Sequence, residues 1–515
     1  MSASKNSPSS ELGGLTLESL VTRLSRYNAR LVGDKGVRFT DVQQDSRRVR
    51  GGDLFVARTG GHDDGKSFVE AAIKNGAVAV LADEEPGATP AWTVPTVYVS
   101  EPRRAMAFAA EAVQGDPSSH LPLIGITGTN GKTTTVGMVE RALAAANRKP
   151  ARLGTTGFAF GSVGEESSLT TPEADEISRL IGGVARNGGT HFIMEVSSHA
   201  LDQGRVDALH FEVAAFTNLT QDHLDHHGDM AKYEAAKRRL FTDLKPQRAV
   251  INVDNETGVR FARLAASDGL LRVGRSPDCD VCPGDLTVDA RGIRGELRVG
   301  MQKIKVDTRL IGEHNLENLL LAVGILATLN VDLQTAVNGL SGDFGVPGRL
   351  ERCEGPNDDV IILVDYAHTP DALERALQAV KKLTLGRILC VFGCGGDRDP
   401  NKRPKMGYAV GRSADDCIVT NDNPRTEDPE VIANAILPGL RQANATYRVV
   451  LDRATAIEQA VLEAKPGDVV LIAGKGHEPY QIIGTTKRPF DDREQARRAL
   501  AIRRARNSTA EGSVR

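Results

Sequence analysis

The chain has 515 residues, 40% of them apolar and 25% charged, which is typical of a globular protein with about three domains. Its 64 Lys and Arg residues nearly balance 67 Asp and Glu residues, and the net charge of −3 excludes a chain-wide basic field for nucleic acid or an anionic membrane. The six cysteines are too sparse for a disulfide framework and fit a reducing cytosol. We therefore expect a cytoplasmic protein that binds anionic ligands through local groups.

The first block follows a polar, Ser-rich tail at residues 1–14, which lacks the apolar core of a signal peptide. Apolar, β-prone runs bounded by Gly or Pro predict strands at 53–57, 77–82 and 96–99. Helical spacing of apolar residues then predicts a helix over 101–113. The turn-rich segment GDPSSHLP then marks a boundary. We place an N-terminal α/β domain at residues 15–116.

The second block opens with the buried-strand pattern LIGIT at 123–127, a Gly-rich loop and a helix predicted over 133–146. Further strands, at 191–196 and 214–219, alternate with helical segments, which predicts a mostly parallel sheet. Between Leu271 and Leu310 the strands follow one another directly, which indicates an antiparallel extension, and a helix is predicted over 315–329.

A Gly- and Pro-rich joint at 342–349 separates the central domain, which we place at 117–346, from a third unit at 347–500. The third unit again alternates strands and helices and is predicted to be a doubly wound α/β domain. Residues 501–515 are predicted to be a polar tail. The longest apolar run, Leu319 to Leu329, is too short to cross a bilayer.

The segment TGTNGKTTT (127–135) lies between a predicted strand and a predicted helix, as a phosphate-binding loop requires. Backbone N–H groups of the Gly-rich turn can cradle phosphates, Lys132 adds a charge, and a Thr hydroxyl, best that of Thr133, can hold Mg²⁺. The strict motif has Gly where this chain has Ile126. The predicted phosphate-binding residues are Gly128, Thr129, Asn130, Gly131, Lys132, Thr133 and Thr134. By itself, this loop does not separate a ligase from a GTPase, a kinase or a motor.

The loop and nine further segments occur in an order that resembles the Mur ligase family. These segments are MEVSSHAL (194–201), TNLTQDHLDHHG (217–228), YEAAKRRLF (233–241), GEHNLENLLLAV (312–323), PGRLE (347–351), VDYAHTPDAL (364–373), VFGCGGDRDPNKRPKMG (391–407), TNDNPRTEDP (420–429) and AGKGHEPYQ (473–481). DSRRVRGGDLFVA (45–57) resembles the N-terminal signature of the branch that adds the third peptide residue. The resemblance covers the chain from about residue 15 to 498.

The resemblance implies an N-terminal α/β UDP-binding domain, a central P-loop ATPase domain and a C-terminal Rossmann-like domain. It implies an ATP-dependent amide ligase of peptidoglycan precursor synthesis, which adds meso-2,6-diaminopimelate to the D-Glu γ-carboxylate of UDP-N-acetylmuramoyl-L-Ala-D-Glu through an acyl phosphate. We expect a monomer that uses ATP and Mg²⁺, acts on small molecules, and neither binds nucleic acid nor inserts into a membrane. The closure of the third domain onto the central one is expected to assemble the site.

The resemblance also implies which residues carry the catalysis. Lys132 is expected to contact phosphate, and Thr133, Glu195 and His223 are expected to be Mg²⁺ ligands. Lys237 is expected to be carbamylated by CO₂, which converts a cation into an anionic oxygen donor for a second Mg²⁺. Family positions for adenine and ribose fall on Asn318, Arg349 and Asp365. We do not predict a zinc site, because neither Cys279-x-x-Cys282 nor the histidines after Asp222 complete a tetrahedral set.

The remaining matched positions are expected to bind the two substrates that become joined. Those for the UDP-linked sugar and its dipeptide are Ser46, Gly61, His62, Asp63, Asp64, Thr170, Thr171, Ser197, Gln203 and Arg205. Leu169 stands where relatives carry Asn, so one contact is expected to be missing. Those for diaminopimelate are Arg398, Asp422, Asn423, Pro424, Arg425, Gly474 and Glu478.

Arg425 is the strongest indication of specificity. Diaminopimelate differs from lysine by a distal carboxylate, which a guanidinium can bind with two hydrogen bonds, whereas lysine would leave that guanidinium unpaired. Three alternatives remain open at this stage: the same ligase reaction with L-lysine, a relative of folylpolyglutamate synthetase, and a P-loop switch ATPase.

Overall fold

The fold comes from a computed structural model, which describes residues 13–58, 64–83, 92–165, 167, 169–265, 269–289, 292–341, 345, 347–355 and 358–512, with side chains as far as Arg506. Three β-sheets follow one another along the chain, and helices cover each of them. The structure therefore confirms the α/β class. Within the described residues, no helix is both long and apolar enough to cross a membrane.

The first sheet has five strands in the order β2-β7-β6-β5-β4, of which only β2 is antiparallel to its neighbour. A separate two-stranded ribbon pairs β1 with β3. Helix α3 covers the sheet with a row of buried alanines. The strands are β1 Leu15–Thr16, β2 Arg30–Val32, β3 Arg38–Phe39, β4 Asp41–Gln43, β5 Asp53–Ala57, β6 Ala79–Asp83 and β7 Thr96–Val99, and the helices are α1 Leu17–Arg23, α2 Val69–Lys74 and α3 Pro102–Val113.

The second sheet has eleven strands in the order β11-β10-β9-β12-β8-β13-β14-β15-β16-β17-β18. Its strands are β8 Leu123–Thr127, β9 Pro150–Gly154, β10 Gly157–Phe160, β11 Val163–Glu165, β12 His191–Glu195, β13 Val213–Phe216, β14 Arg248–Asn252, β15 Leu270–Val273, β16 Val281–Asp289, β17 Gly292–Val299 and β18 Gln302–Thr308. Its helices are α4 Lys132–Ala145, α5 Ala174–Arg186, α6 Ser198–Asp202, α7 Leu224–His227, α8 Met230–Thr242, α9 Glu256–Leu264, α10 Glu313–Thr328 and α11 Leu333–Asn338.

The residue pattern of each strand explains its place in this sheet. All five residues of β8 are buried, as expected for a parallel strand with helices on both faces. In β18 buried and exposed residues alternate, because this antiparallel strand has one face on the core and one in solvent. The predicted antiparallel extension is confirmed by β16, β17 and β18.

The third sheet has six strands in the order β19-β20-β24-β21-β22-β23, all parallel except β19. This is the predicted Rossmann-like unit. Its strands and the following hairpin are β19 Glu351–Arg352, β20 Ile361–Asp365, β21 Ile388–Phe392, β22 Asp416–Val419, β23 Tyr447–Val449, β24 Val469–Ala473, β25 Tyr480–Ile483 and β26 Thr486–Pro489. Its helices are α12 Pro370–Lys381, α13 Lys402–Gly411, α14 Pro429–Gln442, α15 Arg453–Glu463 and α16 Asp492–Gly512.

The predicted polar tail at 501–515 is wrong over its first part, because α16 continues to Gly512. Arg503 on this helix is buried, donates two hydrogen bonds to Asp359, and caps carbonyls of Val461 and Ala464. This buried arginine with its carboxylate partner extends the docked face of the helix past Leu500, the last residue of the helix in the buried apolar cluster. Charge composition alone suggested a solvated tail.

Candidate active site

The Gly-rich loop joins the end of β8 to the start of α4 and has the backbone of a phosphate cradle. Gly128 and Gly131 have φ of +145° and +89°. A Cβ atom on Gly128 would lie 1.8 Å from Thr217 Oγ1, and one on Gly131 would lie 2.1 Å from Asn318 Oδ1. The loop therefore requires glycine at both positions, for conformation and for space. The general motif asks for glycine at Ile126, but that residue lies inside the buried strand and needs none.

Two lysine side chains meet at this loop. Lys132 Nζ donates to the carbonyls of Gly128 and Thr129, each at 2.9 Å, and Lys237 Nζ donates to the same Gly128 carbonyl at 2.8 Å. Burial lowers the pKa of both lysines, and the charge of Lys132 lowers the pKa of Lys237 further. A buried lysine beside another cation favours its neutral amine form.

The carboxylate of Glu195 is buried at the end of β12, next to β8. Its two oxygens accept hydrogen bonds from the backbone N–H and the hydroxyl of Thr155, at 2.8 and 3.2 Å. Thr133 Oγ1, the other predicted oxygen ligand, accepts a hydrogen bond from Arg349 at 3.1 Å. Both groups are oxygen donors of the kind that Mg²⁺ prefers.

His223 has a left-handed backbone, with φ of +53°, immediately before α7. Its Nε2 lies 3.5 Å from Asp222 Oδ2, and Lys402 and His368 of the third domain approach the same carboxylate to 3.8 and 4.0 Å. Burial lowers the pKa of His223 despite the opposing effect of Asp222. A neutral imidazole of this kind can act as a metal ligand.

Two of the three residues predicted for adenine and ribose lie against the loop, Asn318 from the second domain and Arg349 from the third. Asn318 is buried on α10 and its oxygen points at Gly131. Arg349 bonds Thr133 and lies over the ring of Tyr366, 4.7 Å from its centroid. Both oxygens of Asp365 accept backbone N–H groups, from Leu350 and Ala367, and burial raises the pKa of this carboxyl.

The residues predicted for the dipeptide surround the end of β12. Thr171 Oγ1 donates to the Glu195 carbonyl and accepts from Ser197 N–H. Arg205 donates to the Thr171 carbonyl and to Gln203 Oε1, both at 2.7 Å. Thr170 Oγ1 lies 3.1 Å from Thr155 Oγ1.

The described residues predicted for the UDP end lie in the N-terminal domain. Ser46 is buried in the N-terminal domain, where its carbonyl accepts a hydrogen bond from Asn75. The Asp64 carboxylate caps a short 3₁₀ helix by accepting from Lys66 N–H. Gly61, His62 and Asp63 lie outside the described residues.

The residues predicted for diaminopimelate lie together at the carboxyl ends of β21, β22 and β24. Arg425 has φ of +51° and donates to the Gly396 carbonyl at 2.8 Å, so that its guanidinium is fixed by the backbone. Burial and the charge of Arg398 lower the pKa of Arg425. Asn423 donates to Glu478 at 2.9 Å. Gly474 has φ of +122°, and a Cβ there would lie 2.4 Å from Asp422 Oδ2.

One cavity of about 850 Å³ brings the dipeptide and diaminopimelate groups together. Of the predicted residues it is lined by Thr170, Thr171, Ser197, Arg205, His223, Arg398, Asp422, Asn423, Arg425, Gly474 and Glu478. Ser46, Asp64 and Pro424 are not among the described residues that line it. Pro424 instead shapes the turn that carries Arg425.

Sequence reasoning missed three residues of this cavity region. Thr155 donates its backbone N–H to the Glu195 carboxylate, and its carbonyl oxygen lies 3.2 Å from Nε2 of His477 in the third domain. Lys475 is fully buried and contacts Asn423 Oδ1 and Glu478 Oε2 at 3.2 and 3.1 Å. The GKGHE run that contains Lys475 and His477 was a signal for both, whereas Thr155 follows an ordinary strand and gave none.

The chain matches three family models in succession: "Mur ligase family, catalytic domain" at 38–114, "Mur ligase middle domain" at 126–326 and "Mur ligase, glutamate ligase domain" at 348–476. The chain belongs to the Mur ligase family. The UDP-N-acetylmuramoyl-L-alanyl-D-glutamate–2,6-diaminopimelate ligase of Gloeobacter violaceus is 47% identical to this chain over 467 residues, which are 90% of this chain and 94% of that protein. The ligase of the same name from Synechococcus elongatus is 46% identical over 473 residues, 90% of this chain and 95% of that protein.

A solved structure of a ligase with the same name superposes with a TM-score of 0.66 and 32% identity, covering 95% of this Mur ligase and 99% of that chain. The folylpolyglutamate synthase of Mycobacterium tuberculosis, bound to ADP, shares the fold, with a TM-score of 0.59 at 19% identity and 72% coverage of this chain. The shared fold explains why folylpolyglutamate synthetase was a sequence-based alternative.

Proposed function

We propose that this chain is the ATP-dependent ligase that joins meso-2,6-diaminopimelate to the D-Glu γ-carboxylate of UDP-N-acetylmuramoyl-L-Ala-D-Glu in peptidoglycan precursor synthesis. The observation that carries the proposal is the single cavity that has Thr171, Ser197 and Arg205 on one wall and Arg425 and Glu478 on the other. The names of the relatives support the same reaction. We further propose that it acts as a cytoplasmic monomer.

The reaction must bring two anions together, the γ-carboxylate and the terminal phosphate of ATP. Lys132 and the N–H groups of the loop can bind the phosphates and offset the repulsion. Phosphoryl transfer gives an acyl phosphate, whose carbonyl is attacked by the free amine of diaminopimelate, and phosphate leaves as the amide forms. Asn318, Arg349 and Asp365 would hold the nucleoside, with Asp365 keeping an acceptor face for ribose.

The donor set fits Mg²⁺. Thr133 Oγ1 and the Glu195 carboxylate supply oxygen, and His223 supplies a neutral imidazole. When bound, the metal would neutralise charge on the phosphates. Thr133 Oγ1 accepts one hydrogen bond from Arg349 and Glu195 Oε1 accepts one from Thr155, so each oxygen keeps a further lone pair.

Lys237 is suited to carbamylation. CO₂ reacts with a neutral amine, and the pKa of Lys237 is held well below its usual value by burial and by Lys132. Carbamylation would also convert this amine into an anion that the Lys132 ammonium can pair with. We expect a carbamate resonance in ¹³C NMR when the protein is equilibrated with ¹³CO₂ at neutral pH. Lys237→Gln should lose that resonance while Lys232→Gln, exposed on the same helix, keeps it.

Phosphate release with ATP, Mg²⁺ and UDP-N-acetylmuramoyl-L-Ala-D-Glu tests the proposed reaction, with meso-diaminopimelate compared with L-lysine. We expect release with diaminopimelate and little with lysine, and Arg425→Ala should abolish that preference. Arg441→Ala, on the exposed face of α14, is the matched control. Release with lysine alone would show that our interpretation of Arg425 is wrong, and release with neither would reject the ligase reaction.

A further inference from the structure

Three arginines converge on one carboxylate between the N-terminal and central domains. Glu173 Oε1 accepts a hydrogen bond from Arg103 at 2.6 Å and lies 3.1 Å from Arg205 Nε, and Glu173 Oε2 lies 3.7 Å from Arg58. A further acid that acts on Arg58, Asp175, is paired with Arg179 at 2.8 Å. Among the described residues, Arg58, Arg103 and Arg205 therefore place three positive charges around the single carboxylate of Glu173.

This cluster has unused hydrogen-bonding capacity away from solvent. Among the described residues, the buried Nε atom of Arg103 and the buried Oε2 atom of Glu173 form no hydrogen bond, and Arg205 Nε has only the ion-pair contact with Glu173 Oε1 at 3.1 Å. The Arg205 side chain is 9% exposed, and it also lines the 850 Å³ cavity. Buried polar groups are normally satisfied, so a buried arginine donor without a partner, beside two further arginines, indicates a site built for a ligand. Excess positive charge makes that ligand an anion.

We propose that Arg58, Arg103 and Arg205 form one anion receptor across the two domains, which binds a phosphate or carboxylate of the nucleotide-linked substrate, with Glu173 as its resident counter-ion. This inference rests on the proposed function and adds Arg58 and Arg103 to the substrate-binding residues. Arg58 follows β5 and Arg103 begins α3, so both come from the N-terminal domain, while Arg205 comes from the central one. Substrate bound here would hold the two domains in register.

The test is calorimetric titration of the full-length protein with UDP-N-acetylmuramoyl-L-Ala-D-Glu. Arg58→Gln and Arg103→Gln should each bind it about 10- to 100-fold more weakly, because each loses a charge-assisted contact, while KM for ATP and diaminopimelate stays unchanged. Arg104→Gln is the matched control, since Arg104 also bridges the two domains, through Asp207 at 3.1 Å, but lies outside the cluster. We expect its affinity to equal that of the wild type.

Glu173→Gln separates a receptor from a purely structural ion-pair network. If Glu173 is a counter-ion, its neutralisation should leave substrate affinity unchanged or increase it, whereas a structural network would be damaged as much as by Arg103→Gln. The same titration with UDP-N-acetylmuramoyl-L-Ala, which keeps the diphosphate and lacks D-Glu, identifies the anion. An equal loss for both ligands assigns the diphosphate, and a loss confined to the dipeptide ligand assigns the D-Glu carboxylate.

Two outcomes would overturn the receptor. One is unchanged affinity in both Arg58→Gln and Arg103→Gln, and the other is an equal loss in Arg104→Gln. Wild-type protein that binds neither nucleotide ligand would instead reject the proposed function itself, so the two failures are distinguishable. Thermal unfolding of each variant shows whether a loss of binding comes from unfolding. Arg58 lies outside α3, so Arg58→Gln still tests the receptor if Arg103→Gln does not fold.

Discussion

At the scale of single residues, Lys475 shows how a buried charge can position a binding group. Its ammonium group is fully buried between Asn423 and Glu478, which are both expected to contact diaminopimelate. A methionine at this position would keep the volume but leave the Glu478 carboxylate without its cation. The Glu478 side chain should therefore adopt several orientations, whereas the fold should stay the same.

We expect Lys475→Met to raise KM for diaminopimelate by roughly tenfold or more and to leave KM for ATP unchanged. Steady-state phosphate release, with each substrate varied in turn, measures both. Lys303→Met removes an exposed lysine paired with Glu296 and is the control. An equal rise in both KM values would contradict a positioning role.

At the scale of elements, the turn between β8 and α4 depends on a backbone that only glycine adopts readily. Gly128→Ala would place a methyl group against Thr217 and force a φ of +145° on an L side chain. The strain is about 1–3 kcal/mol. We expect ATP affinity to fall at least about tenfold, as measured by titration. Gly183→Ala, inside α5 where a Cβ meets nothing within 4 Å, should instead stabilise the protein by about 0.5–1 kcal/mol.

The start of α16 is tied to the start of α15 by an ion pair with no solvent exposure. Arg453 donates to both oxygens of Asp492, at 2.8 and 2.6 Å, and to the carbonyls of Asn421 and Ala473, which precede the diaminopimelate residues. Removing one partner leaves a buried charge uncompensated. Arg453→Met should lower the free energy of unfolding by about 3–5 kcal/mol.

Denaturant unfolding measures this loss, and the double variant Arg453→Met with Asp492→Leu should recover a large part of it because no lone charge remains. Lys35→Met, which breaks an exposed pair with Glu18, should leave the free energy of unfolding nearly unchanged. A double variant no more stable than Arg453→Met alone would show that the arginine acts through its carbonyl contacts instead.

At the scale of the whole molecule, the third domain lies against the central one through many polar contacts and through Ile311, which packs in the apolar core of the third domain. Arg375 on α12 donates to Glu317 on α10 at 2.8 Å, and Asn130 in the phosphate loop donates to Asp371 at 2.9 Å. His477 reaches Thr155 at 3.2 Å. Polar contacts of this kind are expected for domains that open to admit substrates and close around them.

We therefore expect the radius of gyration from solution scattering to decrease when ATP and the UDP-linked substrate are added together. Arg375→Gln should shift the free protein towards the open shape and raise KM for ATP a few-fold, since a partly exposed ion pair contributes about 1 kcal/mol. Lys381→Gln on the same helix is the control. A compact shape that does not depend on substrate would exclude closure as part of the mechanism.

The sequence predicted the architecture well, because local patterns report it directly. The all-buried run 123–127, the glycines of the following loop and the alternation in β18 each follow from local periodicity or backbone conformation. The residues around Arg425 line one cavity, as the sequence motifs suggested, and their role in binding diaminopimelate stays a prediction. Family resemblance, and not spacing, supplied the roles expected for Lys237 and Asn318.

Tertiary structure alone decided the contacts that join distant parts of the chain. Composition could not show that Arg503 is buried and that α16 continues past Leu500, because burial of a charge depends on a partner, Asp359, more than a hundred residues away in sequence. For the same reason, the sequence alone could not predict that Arg58, Arg103 and Arg205 lie around Glu173. Local sequence determines elements and loops, whereas the pairing of buried charges is fixed only when the elements pack.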